Sequence, residues 1–515
     1  MKRLLFFSLL CLVVVGTRAQ TSQTPTPQWR PTYHFTPLKY WTNDPNGLIY
    51  VNGVFNLYNQ QNPYENKWGH MSWGHATSTD LVHWTHLPIA MYESIQGGDT
   101  IWRFSGCAVM DRHNTSGFCK GDSCIVAIYT AHQPDLHRES QFVAYSNDHG
   151  MHFTNYDHNP VIDLKMQQFR DPNVRWNSEL GKWLMVVAMP LEHQVRFYAS
   201  ANLKNWDLLS AFGPAGIESP GVWECPSFFE LPVQGEPGVH KWVLMASFGS
   251  RGKTRMQYFV GDFDGKNFIN DNPADTTLLV DYGNSFYAAI PWNHLPKGQN
   301  IYIGWMVPPP QETSPWRGQM SIPRDLVLRK TAYGIRLFQQ PASLIEKALP
   351  QLSGHHFATK TGISLEGSRE GMVPESITNG NSYWIEASLS AGPGVVAGFN
   401  LAEKWDSHHN LVQWTQISYD PSRRVIIVDR SHSGTARLRE GDSILTMPLP
   451  PFSGPLDLKI LADKSSLEVF ADHGARVLTT YFYPEKGATG FSAFSKGGKA
   501  WIHKITIWDM SKVHN

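Results

Sequence analysis

Ser78-Thr79-Asp80-Leu81-Val82-His83-Trp84 is one copy of a pattern that recurs as Ser146-Asn147-Asp148-His149-Gly150-Met151-His152-Phe153, as Ser200-Ala201-Asn202-Leu203-Lys204-Asn205-Trp206, and as Gly261-Asp262-Phe263-Asp264-Gly265-Lys266-Asn267-Phe268. Each copy reads as a strand end, a polar turn and an aromatic residue. The closing aromatics stand at 84, 153, 206 and 268, a spacing that suits a four-stranded blade with long loops. Between the turns lie apolar runs of strand length, such as Leu184–Met189, Trp242–Met245 and Ile301–Trp305, and helical periodicity is almost absent. Residues 33–337 hold five such units. The spacing therefore predicts an all-β chain beginning with a five-bladed β-propeller around a central channel; the alternative on pattern alone is a large irregular β-sandwich.

The texture changes at Pro341. Residues 338–352 contain the amphipathic stretch Pro341–Leu349, with proline at a first-turn position, and read as a linker helix. Residues 353–515 then alternate apolar with polar in the runs 383–389, 411–419, 424–428, 456–461, 467–470, 477–483 and 501–508, the pattern of a β-sandwich. At the other end, Met1-Lys2-Arg3, the apolar run Leu4–Val15 and the small residues of Thr17-Arg18-Ala19 form a signal peptide over 1–19. Cleavage after Ala19 and export are expected, with a lead-in over 20–32.

Composition excludes several classes. Of 515 residues, 41% are hydrophobic and 17% charged, so neither wholesale disorder nor a charged coiled coil fits. Lys plus Arg equals Asp plus Glu at 44 each, and loss of the signal leaves 41 basic residues. That balance offers no field for nucleic acid. Past the signal no apolar run is long enough to cross a bilayer, so no membrane insertion is expected. The 19 tryptophans suit either core filling or stacking on sugar rings. Of the cysteines outside the signal, Cys119 and Cys124 lie close enough to staple one loop, but the pairing among Cys107, Cys119, Cys124 and Cys225 is open.

A propeller brings the inner strand of every blade to one channel, so equivalent positions converge. Three acids fit that demand: Asp44 in Trp41-Thr42-Asn43-Asp44-Pro45-Asn46-Gly47, Asp171 in Phe169-Arg170-Asp171-Pro172, and Glu224 in Trp223-Glu224-Cys225-Pro226. Their separations are about two blades and one. A single Asp-Pro is an ordinary turn; three acids at blade spacing point to a pair of carboxyl groups working on one bond. Glycosidic cleavage needs such a pair, one protonating the leaving oxygen and the other attacking or activating water.

Those segments carry a resemblance. WTNDPNG, FRDP and WECP are similar to the signature boxes of glycoside hydrolase family 32, the invertase, inulinase and levanase family. Supporting matches are Gln60 with Asn62-Pro63, Trp68-Gly69, Ser72-Trp73-Gly74-His75, Phe104-Ser105-Gly106 and Pro315–Arg324, with Asp429-Arg430-Ser431 and Ser466–Ala471 in the second domain. The resemblance implies Asp44 as nucleophile at C2 of a β-fructofuranosyl unit, Glu224 as acid/base, and Asp171 as the stabiliser that grips fructose hydroxyls. Asn43, Gln60, Trp68, Phe104, Ser105, Arg170 and Trp316 would line the fructose pocket. It implies fructan or sucrose as substrate, no cofactor and no metal. Glu224 must hold a proton while Asp44 is ionised; Trp223 and the acidic neighbours are expected to provide for the first, Asn43 and backbone N–H groups for the second. Three departures stand out: Thr42 where Met is usual, Gln61 as a fallback for Gln60, and Cys107 as a wall residue or disulfide partner.

The reading is a secreted or periplasmic, retaining, exo-acting β-fructofuranosidase. Alternatives are a fructosyltransferase or endo-fructanase on the same scaffold, a non-catalytic fructan-binding propeller, and an inverting arabinanase-type propeller. Ser247–Thr254 imitates part of a phosphate-binding loop but lacks the first glycine and a following helix. His70 and His75 have no metal-ligand spacing around them. Asn114-Thr115-Ser116 is a glycosylation sequon.

Overall fold

Each recurrent turn joins the third strand of a blade to its outermost strand, and the polar residue in it is the acceptor that closes the turn. Asp80 Oδ1 accepts from the Val82 and His83 amides, Asn202 Oδ1 from Lys204 and Asn205, and Asp264 Oδ1 from Lys266 and Asn267. Asp148 Oδ1 accepts from the His152 amide. The aromatic after the turn then re-enters the blade, with Trp84 and Phe268 buried.

The computed structural model describes residues 28–216, 221–250, 253–311, 313–370, 381–435, 438 and 441–513. The proposed signal peptide and residues 20–27 of the lead-in lie outside the described residues. Five blades follow in sequence, with inner strands Tyr40–Val51, Asp99–Asp111, Arg170–Asn177, Val222–Gln234 and Phe286–Pro291. Every strand within a blade pairs antiparallel to its neighbour. Blades four and five form one continuous sheet, because the end of Val222–Gln234 runs parallel to Arg324–Thr331 through Val233 with Leu328 and Gln234 with Arg329. The ring closes where Trp316–Arg317 pairs parallel with Tyr40–Trp41. Gly318 makes that closure possible: its φ is +87°, and a Cβ there would lie 2.3 Å from the Thr42 carbonyl oxygen.

All five inner strands lose register at the same level. The interruptions fall between Thr42 and Pro45, Arg103 and Gly106, Arg170 and Asn173, Glu224 and Ser227, and Tyr287 and Ile290. A bulge re-aims side chains, so these five interruptions turn five short stretches toward one mouth of the channel. Pro45, Pro172 and Pro226 sit in them because a bulge does not require their missing N–H.

The helix expected over 338–352 is seen as Ser343–Leu352, and residues 338–341 complete the outer strand of blade five. Pro341 pairs with Arg324 there and is not in the helix. Ile345 and Leu349 bury the helix against blade one (Leu48, Trp84) and the second domain (Trp384, Phe470). That second domain is the predicted sandwich. Its two layers are joined by Gly490–Asp509, whose first part pairs with Val396–Trp405 and whose last part pairs with Ser382–Ala391.

The propeller and sandwich are also clasped by buried charge. Arg324 Nη2 donates to Glu468 Oε2 and Thr479 Oγ1, both at 2.6 Å, and Nη1 donates to Asp281 Oδ2 at 3.2 Å. His34 bridges Asp463 and Glu468 at 2.9 Å each. Asp463 in turn accepts from the Thr32, Tyr33 and His34 amides and so docks the end of the lead-in. Arg324 and Glu468, noted above inside Pro315–Arg324 and Ser466–Ala471, therefore act between domains. Arg430 likewise serves the sandwich, donating to the carbonyls of Tyr481 and Asp442. The cysteine question resolves as a Cys119–Cys124 disulfide, with Cys107 and Cys225 free and buried.

Candidate active site

The bulges of blades one, two, three and four bring Asp44, Ser105, Asp171 and Glu224 to one end of the channel. Asp44 is buried and held by side chains: Ser105 Oγ donates to its Oδ2 at 2.6 Å, Gln60 Nε2 at 3.2 Å and the Cys225 thiol at 3.4 Å, while Asn43 Nδ2 donates to Oδ1 at 3.3 Å. Gln60 also reaches Ser105. Gln61 instead turns outward to the Lys39 carbonyl. Thr42, in place of the usual Met, is fully buried and ties the first two strands by donating to the Gln60 carbonyl while accepting from Asn59.

Asp171 adopts φ +65°, an uncommon conformation held by its own amide donating to Thr130 Oγ1 and by its Oδ2 accepting from the Cys225 amide at 2.9 Å. Cys225 thus sits between the first two acids, its sulfur 3.4 Å from Asp44 and 3.5 Å from Asp171. Glu224 faces a different set. Arg170 donates to its Oε1 from Nε at 3.1 Å and Nη2 at 2.8 Å, and the Tyr287 hydroxyl donates to Oε2 at 2.5 Å. Arg170 is itself fixed by Glu139 and Gln168.

The electrostatics follow from this burial. Desolvation pushes the Asp44 carboxyl up, and the Ser105 and Asn43 hydrogen bonds pull against that. Asp171 is pushed up to about 7 by burial, with Arg170 opposing and the Glu224 and Asp44 charges adding to the rise. Burial and the same acids push the Cys225 thiol and the Tyr287 hydroxyl well up, so both remain protonated donors. Arg170 stays a cation because Glu224 and Glu139 outweigh its desolvation.

Trp223 does not face Glu224. It is turned into the apolar cluster between blades three and four, with Val195, Phe197 and Phe259. Trp68 is 52% exposed at the rim, edge-on to Trp102 and Phe104. Phe104 stacks on His132, whose Nδ1 lies 3.3 Å from Glu139. Trp316 is buried under the Arg30 guanidinium, behind the wall. Tyr287 and Glu139 were absent from the sequence reading. Tyr287 lies 63 residues past Glu224, one blade step, on the inner strand of blade five; that register was its only signal. His70 pairs with Glu93 and His75 with Asn56, both structural contacts.

A small half-open hollow at the level of the acids is lined by Pro45, Ser105, Asp171, Pro172, Cys225 and Pro226. Three carboxyl groups, one fixed arginine and two neutral donors thus converge at this end of the channel.

Comparison with known proteins identifies the family. The family model described as glycosyl hydrolases family 32 N-terminal domain matches residues 34–341, and that described as glycosyl hydrolases family 32 C terminal matches residues 349–509. A levanase of Bacillus subtilis (strain 168) is 39% identical over 99% of this chain and 74% of its own length. An extracellular exo-inulinase of Aspergillus ficuum is 36% identical over 100% of both chains. The crystal structure of an exo-inulinase from Aspergillus awamori superposes with a TM-score of 0.84 at 35% identity, covering 94% of this chain and 98% of its own.

Proposed function

Because the chain belongs to glycosyl hydrolases family 32 and is a glycoside hydrolase, we propose that it is a secreted, retaining, exo-acting β-fructofuranosidase that releases terminal fructose from fructans such as levan and inulin, and from sucrose. The observation that carries this reading is the convergence of Asp44 and Glu224 from bulges of different inner strands at one end of the channel. The names of the levanase and the extracellular exo-inulinase support the substrate class and export.

In this reading the Asp44 carboxylate attacks C2 of the fructosyl unit as the C2–O bond to the leaving group breaks, and Glu224 gives its proton to the departing oxygen. Water then enters, loses a proton to Glu224 and attacks C2, releasing Asp44 and fructose with net retention. Ser105, Gln60 and Asn43 orient the attacking carboxylate. Asp171 and Arg170 grip fructose hydroxyls, and Tyr287 orients Glu224. Phe104 and Trp68 flank the entrance, while Trp316 shapes the wall from behind.

Exo action is supported by the name of the exo-inulinase relative. A product time course on sucrose, inulin and levan tests the proposal. Fructose alone from the first minutes is expected. A ladder of shortened chains would mean endo cleavage, longer oligomers from sucrose would mean transfer, and no turnover would refute the reading.

A further inference from the structure

The inner strands of blades two, three and four, which carry Ser105, Asp171 and Glu224, also line a second cavity, of about 350 Å³, at the opposite mouth of the channel. Its lining comes from the far ends of the strands: Met110 on blade two, Arg175 and Trp176 on blade three, Glu230 on blade four, and His294 just past blade five. Trp176 lies five residues along its strand from Asp171, so the two mouths are separated by about 16 Å at roughly 3.3 Å per residue. A second hollow of about 190 Å³ adjoins this cavity and shares Met110, Trp176, Trp183 and His294 with it.

The chemistry of the lining is specific. Trp176 is 45% exposed, and Trp183 meets it edge-on at 5.2 Å. Trp183 is in turn fixed by donating its Nε1 to Thr115 Oγ1 at 2.9 Å. The result is one braced, open indole face over a polar hollow. Arg175 has its Nε buried without a hydrogen-bond partner, and among the described residues its guanidinium pairs with no carboxylate; it lies over the Phe229 ring at 5.6 Å. A buried N–H of this kind is satisfied by an oxygen acceptor. Glu179 and Glu230 line the same cavity as Arg175, and Arg112 and Asp111 line the adjoining hollow, Asp111 already bonded to Thr115 and Ser116. Two arginines among three carboxylates give no field that selects an anion or a cation.

An open indole face, donors and acceptors in one hollow, and no dominant charge describe a receptor for a neutral polyhydroxylated chain. We propose that this back-face cavity is a non-catalytic binding site for an oligosaccharide segment, taking an internal stretch of the same fructan whose ends are cut at the other mouth; the identity of that polymer rests on the proposed function. Holding polymer there raises the local concentration of chain ends without touching the chemistry.

The test separates the two claims. Asp44→Asn protein, which leaves polymer intact, is run through native gels containing levan or inulin, alone and with Trp176→Ala or Trp176→Phe added. Hydrolysis of sucrose, inulin and levan is measured in the otherwise wild-type chain with and without Trp176→Ala. Trp176→Ala is expected to weaken retention at least fivefold, Trp176→Phe to weaken it less, and sucrose kcat/KM to stay within twofold. Retention unchanged by Trp176→Ala in both gels would overturn the site. So would a loss seen only in a gel containing an anionic polysaccharide. Failure of the wild-type chain to cleave any of the three sugars would instead strike at the proposed function, while the gels would still report on the cavity.

Discussion

Arg324→Met removes the cation on which the propeller–sandwich clasp centres. Its guanidinium is fully buried and serves Glu468 at 2.6 Å and Asp281 at 3.2 Å, carboxylates equally shielded from water. Methionine fills much of the space but takes the cation from both acids, leaving Glu468 to His34 and Asp281 to Thr479. Removing one partner from a buried pair costs about 3–5 kcal/mol, a large part of the roughly 5–15 kcal/mol by which folded proteins are stable. With a urea dependence of roughly 2–3 kcal/mol per molar, the unfolding midpoint falls by about 1–2.5 M. Tryptophan fluorescence against urea reads that midpoint. Glu468→Gln and Arg324→Met together should cost less than the sum of the two single changes, since both remove the same ion pair. Sucrose kcat/KM of the folded variant should stay within about twofold. An unchanged midpoint, or a stable variant whose kcat has collapsed, would refute the assignment of Arg324 to the interface.

Other outcomes follow from the same geometry. Glu224→Gln should lower kcat by about 10²–10⁴-fold, the range for loss of a positioned acid/base, and stopped assays on sucrose measure it. Ser105→Ala removes the strongest brake on the upward push that burial gives Asp44, so the acid limb of kcat/KM should move to higher pH; a move to lower pH would contradict this. Asp171, at about 7 against an ordinary 3.8, binds more proton when folded than unfolded, so it subtracts stability as pH rises through that window. Asp171→Asn should therefore flatten the decline of Tm between about pH 4 and 7 while abolishing turnover. For His34 burial lowers the pKa, but Asp463 and Glu468 raise it to about 9 from 6.5. Its contribution is full below about pH 6.5 and is lost as pH rises through 9, so His34→Gln should remove that alkaline decline in Tm.

The turns were the legible part of the fold, because an Asp or Asn that closes a turn and the aromatic behind it are both written in the chain. The five bulges were not. They are properties of pairing register, and only the prolines beside Asp44, Asp171 and Glu224 hinted at them. Tyr287 lay hidden for that reason: the stretch Phe286–Pro291 reads as apolar strand, and nothing in it marks a hydroxyl aimed at Glu224. Trp223 misled in the opposite direction, since neighbouring residues of a strand face opposite sides and its ring belongs to the core between blades. The boxes around Arg324 and Glu468 were visible as sequence, but their work at the domain junction required the two domains to be set side by side. In the sandwich, Gly490–Asp509 passed unread over its first half because Gly497 and Gly498 carry it from one layer to the other.

Covalent capture at Asp44 is the claim on which the rest turns. Glu224→Ala protein given a fructoside with an activated leaving group should accumulate the intermediate, since departure no longer needs the acid but hydrolysis still needs the base. Digestion and mass spectrometry of the quenched protein should find a single fructosyl group on the peptide bearing Asp44. A fructosyl group on another peptide, or turnover of the fructoside with no adduct and an inverted product, would contradict the account.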